Sequence, residues 1–398
     1  MATISATAPI RPPEAPRRAT FLELAFDLAL VAALFQLSHY LVQHLHWSGA
    51  AQSAVLLLTV WRIWIITTWI TDRLDPQRLG VQLCVVVTLT GTLLLSAAMP
   101  EAFGEYGWIF AGVYVGMHIG RHVFLGLFLR GRLQRVAWAA LVWAGVSAVP
   151  WIAGALTHGA LRVALWTLAI ALDYLIHALD YPLPGAGRKA DWDPPVAAEH
   201  VAERYQQVFI IALGELILVS ALTLGDGGFA PDRTAAFLVS IATAALLARI
   251  YIARAEALLH AATRAIPGAN RISRWAGFTF LFLVAGIVVT AVGDELVIAQ
   301  PTGRTGLALA FAILGGPALY LAGRGFWEYL VYPRVSWTLT IGLLVLAALV
   351  PVALHLPPIL AATAAAVVLA GVAVADVARS RAGPAEAPSP RAGEPDHN

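Results

Sequence analysis

The sequence predicts an all-α fold: a polytopic transmembrane helical bundle of about twelve spans. Three observations lead there. Hydrophobic residues make up 59% of the 398 residues and charged ones 13%, at a mean hydropathy of +0.73. The apolar runs are of helix length and lack strand-type alternation, which excludes a barrel. Basic residues also sort to one side of the spans, as the positive-inside rule requires.

Taken in order, residues 1–19 read as a disordered cytoplasmic arm, Pro/Arg/Ala-rich and without the apolar region of a cleavable signal peptide. Thr20-Phe-Leu-Glu23 has the capping-box pattern that opens a helix. Spans are expected at 21–45, 51–70, 80–99, 107–129, 134–153, 159–180, 196–223, 234–253, 274–299, 305–323, 336–354 and 357–378. Longer cytoplasmic links fall at 181–195 and 254–273, and 379–398 reads as a disordered cytoplasmic tail. With the N-terminus in the cytoplasm, 20 of the 26 basic residues fall inside. Arg162, Arg233 and Arg304 fall outside, and Arg62, Arg121 and Arg249 lie within spans. Both ends are therefore expected in the cytoplasm. Residues 20–180 and 196–378 form two six-helix halves, each opening on a helix with acidic first turns: Glu23 and Asp27, then Glu199 and Glu203.

The stretch 195–219, PVAAEHVAERYQQVFIIALGELILV, organises the rest. Asp193 can cap it, with Pro194 and Pro195 in the first turn. His200, Arg204, Gln207, Ile211 and Glu215 fall on one broad helix face. Glu215 lies about 16 Å beyond Arg204 along the axis, near the middle of a hydrocarbon core about 30 Å thick. A carboxylate there must face protein or water, because lipid cannot solvate it. Gly214 beside it leaves room for a neighbouring helix or for water. The plainer alternative takes Glu203 and Arg204 as interfacial charges and Glu215 as a neutral, hydrogen-bonded packing residue.

Other spans carry their own polar sets. Glu23 fits the third position of a capping box at a positive helix N-terminus, whereas Asp27 sits deeper than a cap requires. His39 reads as an interfacial or structural histidine. Arg62, flanked by Trp61 and Trp64, suits a cation–π or ion-pair lock. His118, Arg121 and His122 share the fourth span, while Asp173, His177 and Asp180 form a stripe on the sixth. Structural ion pairing, a proton or ion pathway, and metal ligation all use these residue types. Arg121 in mid-span needs a partner, expected to be Asp173 or Glu215. Asp294 and Glu295 read as an external vestibule or a solvated helix end, and GDGG at 225–228 as an external turn.

Much is excluded. Cys84 is the only cysteine, so there is no intrachain disulfide framework and no thiolate metal cage. No phosphate loop, nucleotide fingerprint or nucleophile–base motif is visible, no cofactor is called for, and the net charge of +2 gives no reason to expect nucleic acid.

Three segments together resemble the bacterial low temperature requirement A (LtrA) family: TFLELAFDLALVAALFQLSHYL (20–41), EHVAERYQQVFIIALGELIL (199–218), and GIVVTAVGDELVIAQP (286–301) followed by GGPALYLAG (315–323). VWRIWIITTWITDRLD (60–75) is similar to the family's second span, while ARIYIARAE (248–256) stands where the family usually has a tryptophan-rich run. The resemblance implies a multi-pass inner-membrane protein; the family name records a growth phenotype and no chemistry.

The buried ionisable residues Asp27, Arg62, Arg121, His122, Asp173, His177, Glu203 and Glu215, with His200 and Arg204 beside them, are expected from the midplane to the cytoplasmic side. That asymmetry points to a cytoplasm-facing polar cavity of a proton- or ion-coupled, transporter-like protein acting on a small solute or ion in the lipid bilayer. Two other readings stand beside it. One is an intramembrane lipid-modifying enzyme using Glu203 or Asp27 with His200. The other is a non-catalytic assembly or envelope protein whose charges hold helices together. A homo-oligomer is compatible with each.

Overall fold

The structure, a computed structural model, describes residues 19–179, 181–182, 198–264, 269–331 and 335–382. Most of the expected arm, linker and tail lies outside these residues, as do Asp180, Asp193, Pro194, Pro195 and the side chain of Glu199. Among the described residues there are twelve α-helices and no strand: α1 (Phe21–Gln43), α2 (Trp47–Arg73), α3 (Leu79–Ala98), α4 (Gly107–Phe128), α5 (Gly131–Ala155), α6 (Gly159–Ala178), α7 (Ala198–Gly227), α8 (Pro231–Arg264), α9 (Ala269–Ala299), α10 (Leu307–Val331), α11 (Trp337–Ala353) and α12 (Pro358–Ala382). The link expected over 254–273 is largely helical instead, since α8 runs to Arg264 and α9 begins at Ala269. The expected turn at 225–228 is shorter too: α7 continues to Gly227, and Gly228 at φ +80° makes the break, a backbone region that glycine enters without steric cost.

Ten of the described helical segments are long and apolar enough to cross a membrane. The apolar α11 is shorter, at 17 residues, and α4 carries His118, Arg121 and His122. Large apolar side chains such as Leu28, Leu83, Val149 and Val374 stand exposed on the helices, as lipid-facing residues would. The protein is a multi-pass helical membrane protein.

The chain divides into two compact units, one ending at Arg204 and the other starting at Tyr205. In the first unit, α1 packs on α2 and α3, α3 on α4, α4 on α5, α5 on α6, and α6 returns to α2. In the second, α8 packs on α9, α9 on α10, α10 on α11, α11 on α12, and α12 returns to α8. The relations α2–α3, α3–α4, α4–α5, α5–α6 and α2–α6 thus recur six helices later.

Glycine sets the tightest packing of the second unit. Gly286 and Gly293 on α9 are seven residues apart, and so are Gly316 and Gly323 on α10, so each pair shares a helix face. A Cβ on Gly286 would lie 2.5 Å from the Tyr320 backbone nitrogen, and one on Gly293 would lie 3.1 Å from the Ile313 nitrogen. These are the backbone approaches that drive helix association where no hydrophobic effect operates. In the first unit, Arg162 fills a comparable structural role. Counted from sequence among the outside charges, it is 2% exposed, and its guanidinium donates to the carbonyls of Gly104 (2.7 Å), Thr157 (2.8 Å) and Gly154 (3.1 Å). It thereby ties the α5–α6 turn to the chain before α4.

Candidate functional site

The start of α1, the end of α2 and the start of α7 meet at one end of the first unit. Thr20 caps α1, and its side chain and that of Glu23 exchange hydrogen bonds with each other's backbone N–H. This local capping box holds the Glu23 backbone and one carboxylate oxygen, leaving Oε1 free to face inward. Asp27, one turn on, is 1% exposed. Trp64 and Asp72 come from α2, and His200 and Arg204, both 0% exposed, come from the first turns of α7.

Two sub-arrangements result. Arg204 grips Asp27 with both terminal nitrogens, at 2.7 Å each, and the Trp64 indole donates to the same carboxylate at 3.2 Å. Trp64 stacks on Trp61, and the Arg204 guanidinium stands 5.9 Å from the Trp64 ring centre. Beside this pair, His200 sits between two carboxylates. Its Nε2 is 2.9 Å from Glu23 Oε1 and its Nδ1 is 3.3 Å from Asp72 Oδ1, both at ion-pair distance but off the line of an ideal hydrogen bond. Arg73 holds the other oxygen of Asp72 at 3.2 Å. Three carboxylates thus face two guanidiniums and one imidazole, and the charges balance only when His200 carries a second proton.

His200 therefore partners Glu23 and Asp72, and neither Glu203 nor Asp27. Glu203 is half-buried and accepts from the Ala19 backbone N–H at 3.0 Å. Asp72 and Trp64 are not among the residues that the sequence marks as a site. Asp72 adjoins Arg73, which fits a topology charge at a span end, and Trp64 reads as packing. Their signal was i, i+8 spacing on α2, which places them on neighbouring faces two turns apart.

The second expected set also lies in the first unit, between α2, α4 and α6. Asp173 accepts from Tyr114 (2.8 Å) and Trp151 (3.4 Å), and His118 Nε2 stands 3.5 Å away. Arg121, expected to pair with Asp173 or Glu215, has no acidic partner among the described residues; Nε and Nη1 are buried without a hydrogen bond. Neutral aromatic donors occupy Asp173 instead. Arg62 makes its cation–π contact with a residue of another helix: its guanidinium lies 5.8 Å from the Tyr174 ring centre and donates to the Tyr181 hydroxyl at 3.4 Å. His177 Nδ1 meets that hydroxyl at 3.2 Å. Among the described residues, no group of three or more His, Cys, Asp or Glu side chains is arranged to hold a metal ion.

In the second unit Glu215 is 0% exposed, and a Cβ on Gly214 would meet open space, so no neighbouring helix closes on that glycine. Asp294 is no solvated helix end. It is 6% exposed and ends a buried chain in which Ser240 donates to it at 2.7 Å and Ser220 meets Ser240 at 2.7 Å.

Comparison with known proteins bears on the class. The family model described as bacterial low temperature requirement A protein (LtrA) matches residues 18–374. The chain is also 33% identical over 331 residues to the uncharacterized protein RA0937 of Rhizobium meliloti (strain 1021), covering 80% of this chain and 78% of that one. No solved structure matches. With the match running from the last residues before α1 to within α12, the chain belongs to the bacterial low temperature requirement A family.

Proposed function

We propose that this protein is a proton-coupled, transporter-like protein of the bacterial cytoplasmic membrane, and that Glu23, His200 and Asp72 form its protonatable relay. The observation that carries this reading is the position of His200, buried between two carboxylates contributed by two other helices. Gain or loss of one proton there changes the net charge holding α7 to α1 and α2. In a site that excludes water, such a change biases helix positions strongly. Histidine is the side chain suited to exchange that proton near neutral pH. Asp27 and Arg204 form the fixed part of the site, since a bidentate pair keeps its geometry.

The same reading places both termini and the mouth of the polar cavity in the cytoplasm. It rests on the 20 basic residues that the twelve-span order puts on that side. The cluster lies where α1 and α7 begin and α2 ends, which is the cytoplasmic end in that order. Cysteine labelling at Asp226 and Gly303 tests it: both should react only from outside, and labelling of either from the cytoplasmic side overturns the topology.

Purified protein in proteoliposomes, assayed for pH flux and for uptake of a broad panel of ions and small solutes, tests the activity. Wild type should show proton-linked uptake of at least one solute, and His200→Gln should abolish it at unchanged folded yield. Flux in His200→Gln equal to wild type would sink the relay. A second reading is favoured by the Asp27–Arg204 bridge: a non-catalytic assembly role, in which buried charges act only as helix–helix glue. It requires His200→Gln to lose folded protein in proportion to function.

A further inference from the structure

We infer that the space between α2, α4, α5 and α6 in the first unit is a seat for a small, weakly hydrated monovalent anion of the halide class. Among the described residues, the seat holds more positive charge than its carboxylate neutralises. Arg62 and Arg121 are 2% and 5% exposed, and Asp173 is the carboxylate of this region. That carboxylate is already engaged by Tyr114, Trp151 and His118. Among the described residues, no hydrogen-bond partner meets Arg62 Nε, Arg121 Nε and Nη1, His118 Nδ1 or either ring nitrogen of His122, whose neutral ring donates from one of them. An arrangement of buried donors with surplus cationic charge is costly unless an anion completes it.

Part of this set gathers around His122 and Tyr181. The His118 and His122 rings are 4.9 Å apart, and His122 is 6.3 Å from the Tyr181 ring. Tyr181 in turn receives Arg62 and meets His177. Arg121 immediately precedes His122 on α4. His122, His177 and Tyr181 also line a cavity of about 40 Å³ whose remaining wall is apolar, built from Ile66, Leu125 and Val136 among others. One water needs roughly 10–15 Å³ by this measure, so the cavity has room for about three waters, enough for one small ion and too little for a large organic acid. The apolar wall sets the charge class: it offers few donors to replace a divalent anion's hydration, whereas a halide surrenders its shell at lower cost.

The seat is separate from the Glu23–His200–Asp72 relay and does not require that anything be transported. Its test is binding. Full-length protein in detergent is exchanged into gluconate at fixed ionic strength, then titrated with chloride or bromide while thermal unfolding is followed. Equilibrium dialysis with radiolabelled chloride gives the stoichiometry. The expected result is a saturable rise in Tm with one ion bound per chain, because a ligand of the native state stabilises by mass action. Arg121→Gln and Arg62→Gln should each weaken chloride binding by roughly ten- to a hundredfold, the worth of one charge-assisted hydrogen bond. In gluconate, Arg121→Gln should be as stable as wild type or more so, because it removes an unpaired buried charge. Absence of chloride binding by wild type overturns the seat, whether or not the variants fold. Undiminished binding by both variants overturns its location. Sulfate binding as tightly as chloride overturns the monovalent class.

Discussion

The Asp27–Arg204 pair permits the sharpest energetic test. Its two contacts are 2.7 Å each, both residues are at most 1% exposed, and removing one partner of such a pair costs about 3–5 kcal/mol. The two single changes should nevertheless differ. Arg204→Met leaves Asp27 ionised with only the Trp64 indole at 3.2 Å, so its cost should lie at the upper end of that range, about 4–5 kcal/mol. Asp27→Asn keeps an acceptor for Arg204, and Glu23 Oε1 at 3.9 Å from Arg204 Nε still faces the cation. Its cost should be nearer 1–3 kcal/mol. Asp27→Asn with Arg204→Met removes both charges and should recover most of the loss, with a coupling energy of about 2 kcal/mol or more. Reversible unfolding in mixed detergent micelles, followed by circular dichroism, measures all four species. Additive costs in the double variant, or equal costs for Arg204→Met and Asp27→Asn, would refute the reasoning.

Other consequences are structural. Gly286→Leu should splay α9 from α10 and break the Tyr320 hydroxyl's bond to the Leu247 carbonyl, lowering stability by about 2 kcal/mol or more in a thermal unfolding assay. Arg162→Gln should expose the α5–α6 turn to faster amide hydrogen exchange at a cost of about 2–4 kcal/mol, because several carbonyls lose a charged donor at once. Trp64→Phe removes one neutral donor from Asp27 and should cost only about 1 kcal/mol, read in the same assay.

Hydropathy and charge placed the helices because each is dictated locally. The apolar runs match α1 to α12 within a few residues at most ends, and the capping box at Thr20 and Glu23 formed as its spacing requires. Depth and sidedness also singled out Asp27, His200 and Arg204. What the sequence concealed was partnership. Asp173 was expected to meet a guanidinium, yet a tyrosine and a tryptophan that resemble packing residues supply its donors. Asp72 and Arg162 were hidden because a charge at a span end already has a topological explanation. Asp294 was misplaced because α9 holds it among buried serine hydroxyls instead of at a fraying end. Convergence of side chains from separate helices is a property of packing, and periodicity along one helix carries no record of it.

The central claim is that His200 exchanges the proton that transport couples to. Nitrogen NMR of ring-labelled histidine in bilayers, assigned by comparison with His200→Gln, measures this directly alongside proton flux from the same preparation. The claim predicts that His200 passes between a form protonated on both nitrogens and a neutral form, with the same pH midpoint as the flux. A single His200 protonation state across the whole pH range in which flux varies would contradict it.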